Sequence, residues 1–330
     1  MILLTGATGY LGSNIAHELM AWQVPFRVLV RDVARLPFDL PAGNCEIVIG
    51  DLLDPVSVQR ALQGIHRVIH TAALVKVWVP DHELFRRVNF EALQTLLRLA
   101  ADAGVERVVY TSTFFALGPS SDPDACEGTQ CKIQSATPYV ASKREALDWL
   151  RAEGFRQYPV LALLPGVIYG PGPQTEGNRV GGMIGQYLCG RFPGLLGSGN
   201  QRWSFSYMPD VVRAHLAALD HGNPGEEYLV AGDNRSLNEL FRLLAEISGV
   251  DRPVRHIPFW VAKLVGAGEL VLAKTLHHQP QLTPEVVEAL KEDWVYSSSK
   301  AERELGYHVT PLEDGLRKTI EPHPQATESR

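Results

Sequence analysis

A doubly wound α/β fold, in which helices cover both faces of a parallel sheet and a smaller, mostly helical C-terminal lobe follows, is the architecture this 330-residue chain predicts. Three observations predict it. Short β-branched runs alternate with helical patterns through the first half, a Gly-rich turn separates the first strand from the first helix, and stretches rich in Gly and Pro replace the alternation after Leu164.

The runs Ile2 to Thr5, Phe26 to Val30, Glu46 to Ile49, Arg67 to His70, Arg107 to Tyr110 and Val160 to Leu164 read as strands. Between them Leu11, Ile15 and Leu19 recur at helical spacing, as do Leu84, Val88, Ala92 and Leu96, so helices can cover the sheet. Tyr169 to Gly182 and Gly190 to Gly199 are Gly/Pro-rich and mark a different unit. Phe205 to Val212, Ala214 to Asp220 and Glu227 to Val230 then read as strand, helix and strand. From Ser236 the chain is largely helical, with Leu237, Leu240, Leu243 and Leu244 on one face. The expected division is a first domain of residues 1–170 to which 205–232 return, a lobe of 171–204 and 233–322, and a frayed polar tail at 323–330.

Composition narrows the function. Lys and Arg total 31 against 37 Asp and Glu, a net charge of -6, so no basic field collects polyanions and nucleic acid is not an expected partner. Cys45, Cys126, Cys131 and Cys189 lack paired CxxC spacing; we read them as free thiols of a reducing, cytoplasmic compartment, with no metal site expected. The first strand begins at once, so no export leader is expected. Phe259 to Leu276 is apolar but interrupted by Lys263, Glu269 and Lys274, which predicts an amphipathic helix over part of a cavity, with contact to a membrane surface as the alternative, rather than a membrane span.

Thr5-Gly6-Ala7-Thr8-Gly9-Tyr10-Leu11-Gly12 sits between the first strand and first helix. Small residues there let the backbone approach a diphosphate, and the positive helix end faces its charge. The GxxGxxG spacing with its leading Thr resembles the loop of extended short-chain dehydrogenases/reductases, in the NAD-dependent epimerase/dehydratase family. Within it the chain is most similar to dihydroflavonol reductase-like and 3β-hydroxysteroid dehydrogenase-like members, over nearly its whole length. The resemblance implies a Rossmann nucleotide site of Gly6, Thr8, Gly9, Tyr10, Leu11 and Gly12. It assigns Asp51 and Leu52 to the adenine, and Thr71, Ala72, Ala73, Ser112, Lys143, Pro165, Val167 and Ile168 to the rest of the cofactor. The second strand ends Val30-Arg31-Asp32. Arg31, assisted by Arg35, can pair with a 2′-phosphate, which favours NADP(H), whereas Asp32 leaves NAD(H) open.

Tyr139 and Lys143 stand four apart, on one helix face a turn apart, and an ammonium there stabilises a phenolate. A second such pair, Tyr296 and Lys300, lies far from the nucleotide half and is set aside. The resemblance adds Thr113 as the hydroxyl that bonds substrate oxygen, and Asn89 as a residue that stabilises a helix kink or a bound water. Phe114 and Phe115 stand where sugar dehydratases keep an Asp-Glu pair, and Leu164 and Val167 where nucleotide-sugar epimerases keep Arg and Asn. The expected reaction is therefore hydride transfer to or from a hydrophobic carbonyl or alcohol, with Trp78, Phe114, Tyr169 and Trp203 on the substrate side. A sugar epimerase of the hopanoid-associated type, suggested by Trp78-Val79-Pro80-Asp81, and a non-catalytic dinucleotide sensor are the alternatives. In relatives the helices corresponding to Glu83–Ala101 and Tyr139–Arg151 form a four-helix dimer surface, so a homodimer is expected.

Overall fold

The structure, a computed structural model, describes residues 1–37, 44–129, 131–133, 136–276 and 279–320; the tail expected at 323–330 lies outside them. The β-branched runs form β1 (Ile2–Thr5), β2 (Phe26–Val30), β3 (Cys45–Ile49), β4 (Arg67–His70), β5 (Arg107–Thr111) and β6 (Val160–Pro165). Beyond them come β7 (Val167–Tyr169), β8 (Leu195–Leu196), β9 (Arg202–Tyr207), β10 (Glu227–Val230), β11 (Asp233–Ser236) and β12 (His256–Ile257). The main sheet is wholly parallel in the order β10-β6-β5-β4-β1-β2-β3. Its central strands are apolar on both faces, as a sheet covered twice requires: Leu3, Leu4, Val108, Val109 and Leu161 through Leu164 are all fully buried.

Helices α1 (Tyr10–Ala21), α2 (Pro55–Leu62), α3 (Glu83–Arg86), α4 (Ala92–Asp102), α5 (Pro138–Trp149) and α6 (Phe155–Gln157) belong to the first half. They are followed by α7 (Arg179–Leu188), α8 (Met208–His221), α9 (Leu237–Ser248), α10 (Phe259–Leu276), α11 (Pro284–Ala289), α12 (Ser299–Leu305) and α13 (Leu312–Ile320). One face of the sheet packs Val58, Leu93, Leu96 and Leu147 from α2, α4 and α5. The other packs Ile15, Leu19, Val211 and Leu305 from α1, α8 and α12. A third core joins α7, α9 and α13 to the small sheet β11-β9-β7. None of the described helices is long and apolar enough to cross a membrane.

Local chemistry sets the helix starts. Asp54 accepts from the Val56 and Ser57 amides ahead of Pro55, and Thr137 accepts from the Val140 amide ahead of Pro138, so each cap meets a proline whose missing N–H costs nothing. Ser236 and Glu239 form a capping box on α9.

Two readings need correction. The strand expected over Phe205 to Val212 ends at Tyr207, because Pro209 stands in the first turn of α8, and its strand part pairs with β7 and β11 rather than with the main sheet. The stripe of Leu84, Val88, Ala92 and Leu96 is broken by a π-helical turn at Arg87–Glu91. The extra residue rotates the face, so Phe85, Asn89 and Phe90 are buried while Leu84 and Val88 are only half-buried.

Replacing the α9 cap, Ser236→Ala, is expected to cost about 1 kcal/mol of stability, read as a lowered urea midpoint at unchanged slope. An unchanged midpoint would show that the box contributes nothing.

Candidate active site

The Gly-rich turn closes between β1 and α1. Gly6 adopts φ +82°, and a Cβ there would lie 2.6 Å from the Ala72 amide nitrogen. A Cβ on Gly12 would lie 2.2 Å from the Gly6 carbonyl, so both glycines are required by close packing of the turn. Gly9 is different: its Cβ would meet only the Gly6 carbonyl, at 3.3 Å, and it caps α1 without any side chain. The first-turn amides of α1 therefore face the crevice with no side-chain cap, an arrangement that fits a diphosphate. The Tyr10 hydroxyl donates to the Gly170 carbonyl at 2.8 Å and Leu11 is buried. Those two side chains belong to the core, and what they offer the crevice is backbone. Thr8 is half-buried in the same turn.

Around that turn the strand ends gather the other expected residues. Thr71 donates its hydroxyl to the Thr5 carbonyl at 2.8 Å, which holds Thr71-Ala72-Ala73 against the Gly turn. Asp51 accepts from the Leu53 amide at 2.9 Å, and Leu52 packs onto the core. Arg31 and Arg35 are exposed past the end of β2, while Asp32 accepts from the Ala34 amide at 3.0 Å and caps a single 3-10 turn. Pro165 ends β6 in the core; Val167 and Ile168 are half-buried in β7.

The proton-transfer residues converge at the carboxyl end of β5. Thr137 and Pro138 start α5, which sets Tyr139 in its first turn and Lys143 one turn on. Lys143, 2% exposed, donates to the Thr111 carbonyl at 2.8 Å and to the Tyr110 hydroxyl at 3.2 Å. Its Nζ lies 4.7 Å from the centroid of the Tyr110 ring. Burial alone pulls the ammonium down to about 7. Burial pushes the Tyr139 phenol up to about 12, opposed by its hydrogen bond with Thr113. Thr113 and Ser112 are both buried, in the turn just past β5.

Asn89 ties these parts together from the π turn. Its amide oxygen accepts from the Leu74 amide at 2.7 Å; its nitrogen donates to the Leu74 carbonyl at 3.1 Å and to Ser142 Oγ at 2.9 Å. Ser142, next to Lys143, in turn donates to the Tyr139 carbonyl at 2.8 Å. Sequence reasoning missed Tyr110, read only as a strand residue, and the side chain of His70. His70 stacks on Tyr110 at 5.8 Å and shares a 2.7 Å hydrogen bond with Thr5, and burial, then Lys143, pulls it down to about 3. The one available signal was an aromatic and an imidazole at the ends of adjacent strands.

Of the four expected substrate-side aromatics, Phe114, Tyr169 and Trp78 are buried. Phe114 is fully buried among Phe115, Trp294 and Tyr296, and Tyr169 is fully buried against Phe205 and Tyr207; in both, neighbouring rings leave no face open to a ligand. Trp203, half-buried, meets the half-buried Phe115 edge to face at 5.9 Å. Trp78 is buried against Ala273 of α10. The second Tyr/Lys pair is structural: Tyr296 donates to the Gly118 carbonyl and Lys300 pairs with Glu226.

Residues 2–231 match the model of the NAD dependent epimerase/dehydratase family. The chain is 32% identical to sterol demethylase protein B of Methylococcus capsulatus, covering 92% of each. It is 26% identical to a putative dihydroflavonol 4-reductase of Synechocystis sp., covering 96% of this chain and 92% of the relative. The crystal structure of gox2253 superposes with a TM-score of 0.79 at 31% identity, covering 97% of each chain.

Lys143 titrates in the folded protein at about 7, below its ordinary 10.5, so between those values the unfolded chain binds more protons and stability rises with pH. Wild type should therefore gain on Lys143→Met as pH rises through that window, measured by urea unfolding at several pH values. Parallel curves for the two proteins would place the amine in water.

Proposed function

Starting from a chain that belongs to the NAD dependent epimerase/dehydratase family, we propose that it transfers hydride between NADP(H) and the carbonyl or alcohol carbon of a hydrophobic small molecule, with Tyr139 moving the proton. It is an NAD(P)-dependent oxidoreductase of the extended short-chain dehydrogenase/reductase type. The observation that carries the proposal is Tyr139, Thr113 and buried Lys143 gathered at the strand edge that also bears the uncapped Gly9 turn.

When bound, the dinucleotide supplies or accepts the hydride; Gly6, Gly9 and Gly12 would hold its diphosphate, Asp51 its adenine and Lys143 its nicotinamide ribose. In the reductive direction Thr113 holds the substrate oxygen by a hydrogen bond, and the Tyr139 phenol gives its proton to that oxygen, so C=O becomes CH–OH. Lys143, charged, stabilises the phenolate that remains. In the oxidative direction the phenolate takes the hydroxyl proton.

Arg31 supports NADP(H): the neighbouring Asp32 is engaged with the Ala34 amide, which leaves the guanidinium as the group suited to a 2′-phosphate. The apolar pair Phe115 and Trp203, and relatives named for sterol and dihydroflavonol chemistry, support a hydrophobic substrate. The first domain would carry the cofactor and the lobe the substrate. The enzyme would act in the cytoplasm as a homodimer joined through α3, α4 and α5.

Titration with NADPH and NADH, followed by a panel of hydrophobic ketones read at the nicotinamide absorbance, tests the reading. Tyr139→Phe should bind dinucleotide normally and lose turnover by ~100-fold or more, and normal turnover would move the proton donor elsewhere. Arg31→Ala should weaken NADPH about tenfold and leave NADH unchanged. Equal loss for both would remove the 2′-phosphate contact.

A further inference from the structure

Six of the eleven exposed large apolar side chains among the described residues lie on α10: Trp260, Leu264, Val265, Val271, Leu272 and Leu276. That concentration on one helix is not the scattered exposure expected of a soluble surface. At about 100° per residue the six fall within about 160° of arc, a single face running the length of the helix. Trp260, Leu264 and Leu276 are 66%, 66% and 71% exposed. The opposite face is Ala262, Gly266 and Ala273, small residues that seat the helix on Thr283, Val77 and Trp78.

The charges of α10 are drawn off the apolar face. Lys263 pairs with Glu288, and Glu269 accepts from the Gln281 and Leu282 amides. Arg255, four residues ahead of the helix, and Lys274, in its last turn, are exposed cations, while the Arg252 guanidinium lies at the Leu188 carbonyl at the end of α7. With Lys263 offset by Glu288, residues 251–276 leave Arg252, Arg255 and Lys274 against Asp251 and Glu269, an excess of one cation in a chain whose net charge is -6.

We propose that α10 docks the protein on an anionic bilayer surface, lying in the plane of the headgroups with Trp260, Leu264, Val271, Leu272 and Leu276 among the acyl chains. An 18-residue helix is about 27 Å long, which suits an in-plane helix. Cations at its two ends match anionic headgroups and would repel a second copy presenting the same face. The docking stands whether or not the hydride reading above does.

The test uses the full chain, sedimented with vesicles of phosphatidylcholine alone or enriched in phosphatidylglycerol. Sedimentation with the anionic vesicles, with a blue shift of tryptophan emission that Trp260→Phe abolishes, is the expected result. Leu264→Asp/Leu272→Asp should bind those vesicles at least about tenfold more weakly at an unchanged thermal midpoint, since both positions face solvent. The proposal is overturned by no sedimentation with anionic vesicles, by equal sedimentation with both kinds, or by equal sedimentation of wild type and variant. It is also overturned if light scattering shows that the variant splits an oligomer, which would give the face to a second copy.

Discussion

Lys143 is an ammonium enclosed by neutral groups, and the site is organised around keeping it there. It contacts the Thr111 carbonyl, the Tyr110 phenol and the face of that phenol's ring. A carboxylate partner would hold the charge firmly and leave little of its field for Tyr139. Neutral oxygens and an aromatic face hold the amine in place while its titration falls to about 7, close to where an enzyme works. The pair then divides one task, with the phenol carrying the proton and the amine stabilising what the proton leaves behind.

That placement draws on the whole first half of the chain. The parallel sheet brings the ends of β1, β4 and β5 to one edge, where Thr5, His70 and Tyr110 form a buried layer beneath the crevice. Asn89 spans from the π turn to Leu74 and Ser142, so the segment after β4 and the helix bearing Tyr139 and Lys143 are held to a common anchor. A π turn replaces one regular helical turn for a purpose visible in those three bonds: it turns the Asn89 side chain inward without displacing Phe85 or Leu93 from the core.

Much of this was legible before the structure. Six strands of the main sheet follow from β-branched runs. Glycine spacing placed the turn at Gly6 to Gly12 because close approach leaves no alternative there. The small sheet was not legible: β11 is Asp-Asn-Arg-Ser and β7 only three residues, so neither carries an apolar alternation, and both are strands because β9 pairs with them. Phe114 and Tyr169 were misplaced for a related reason. An aromatic at a strand end or in the turn after it can face in or out, and only the positions of Trp294, Tyr296, Phe205 and Tyr207, distant in sequence, decide which.

The protonation of one amine is where the account is most exposed. A carbon-13 NMR titration of the Lys143 side chain, assigned by comparison with Lys143→Met, reads it directly. A midpoint near 7 is the predicted result. A midpoint at the ordinary lysine value of 10.5 would mean that the amine reaches water and that neutral enclosure is not what sets the chemistry of this site.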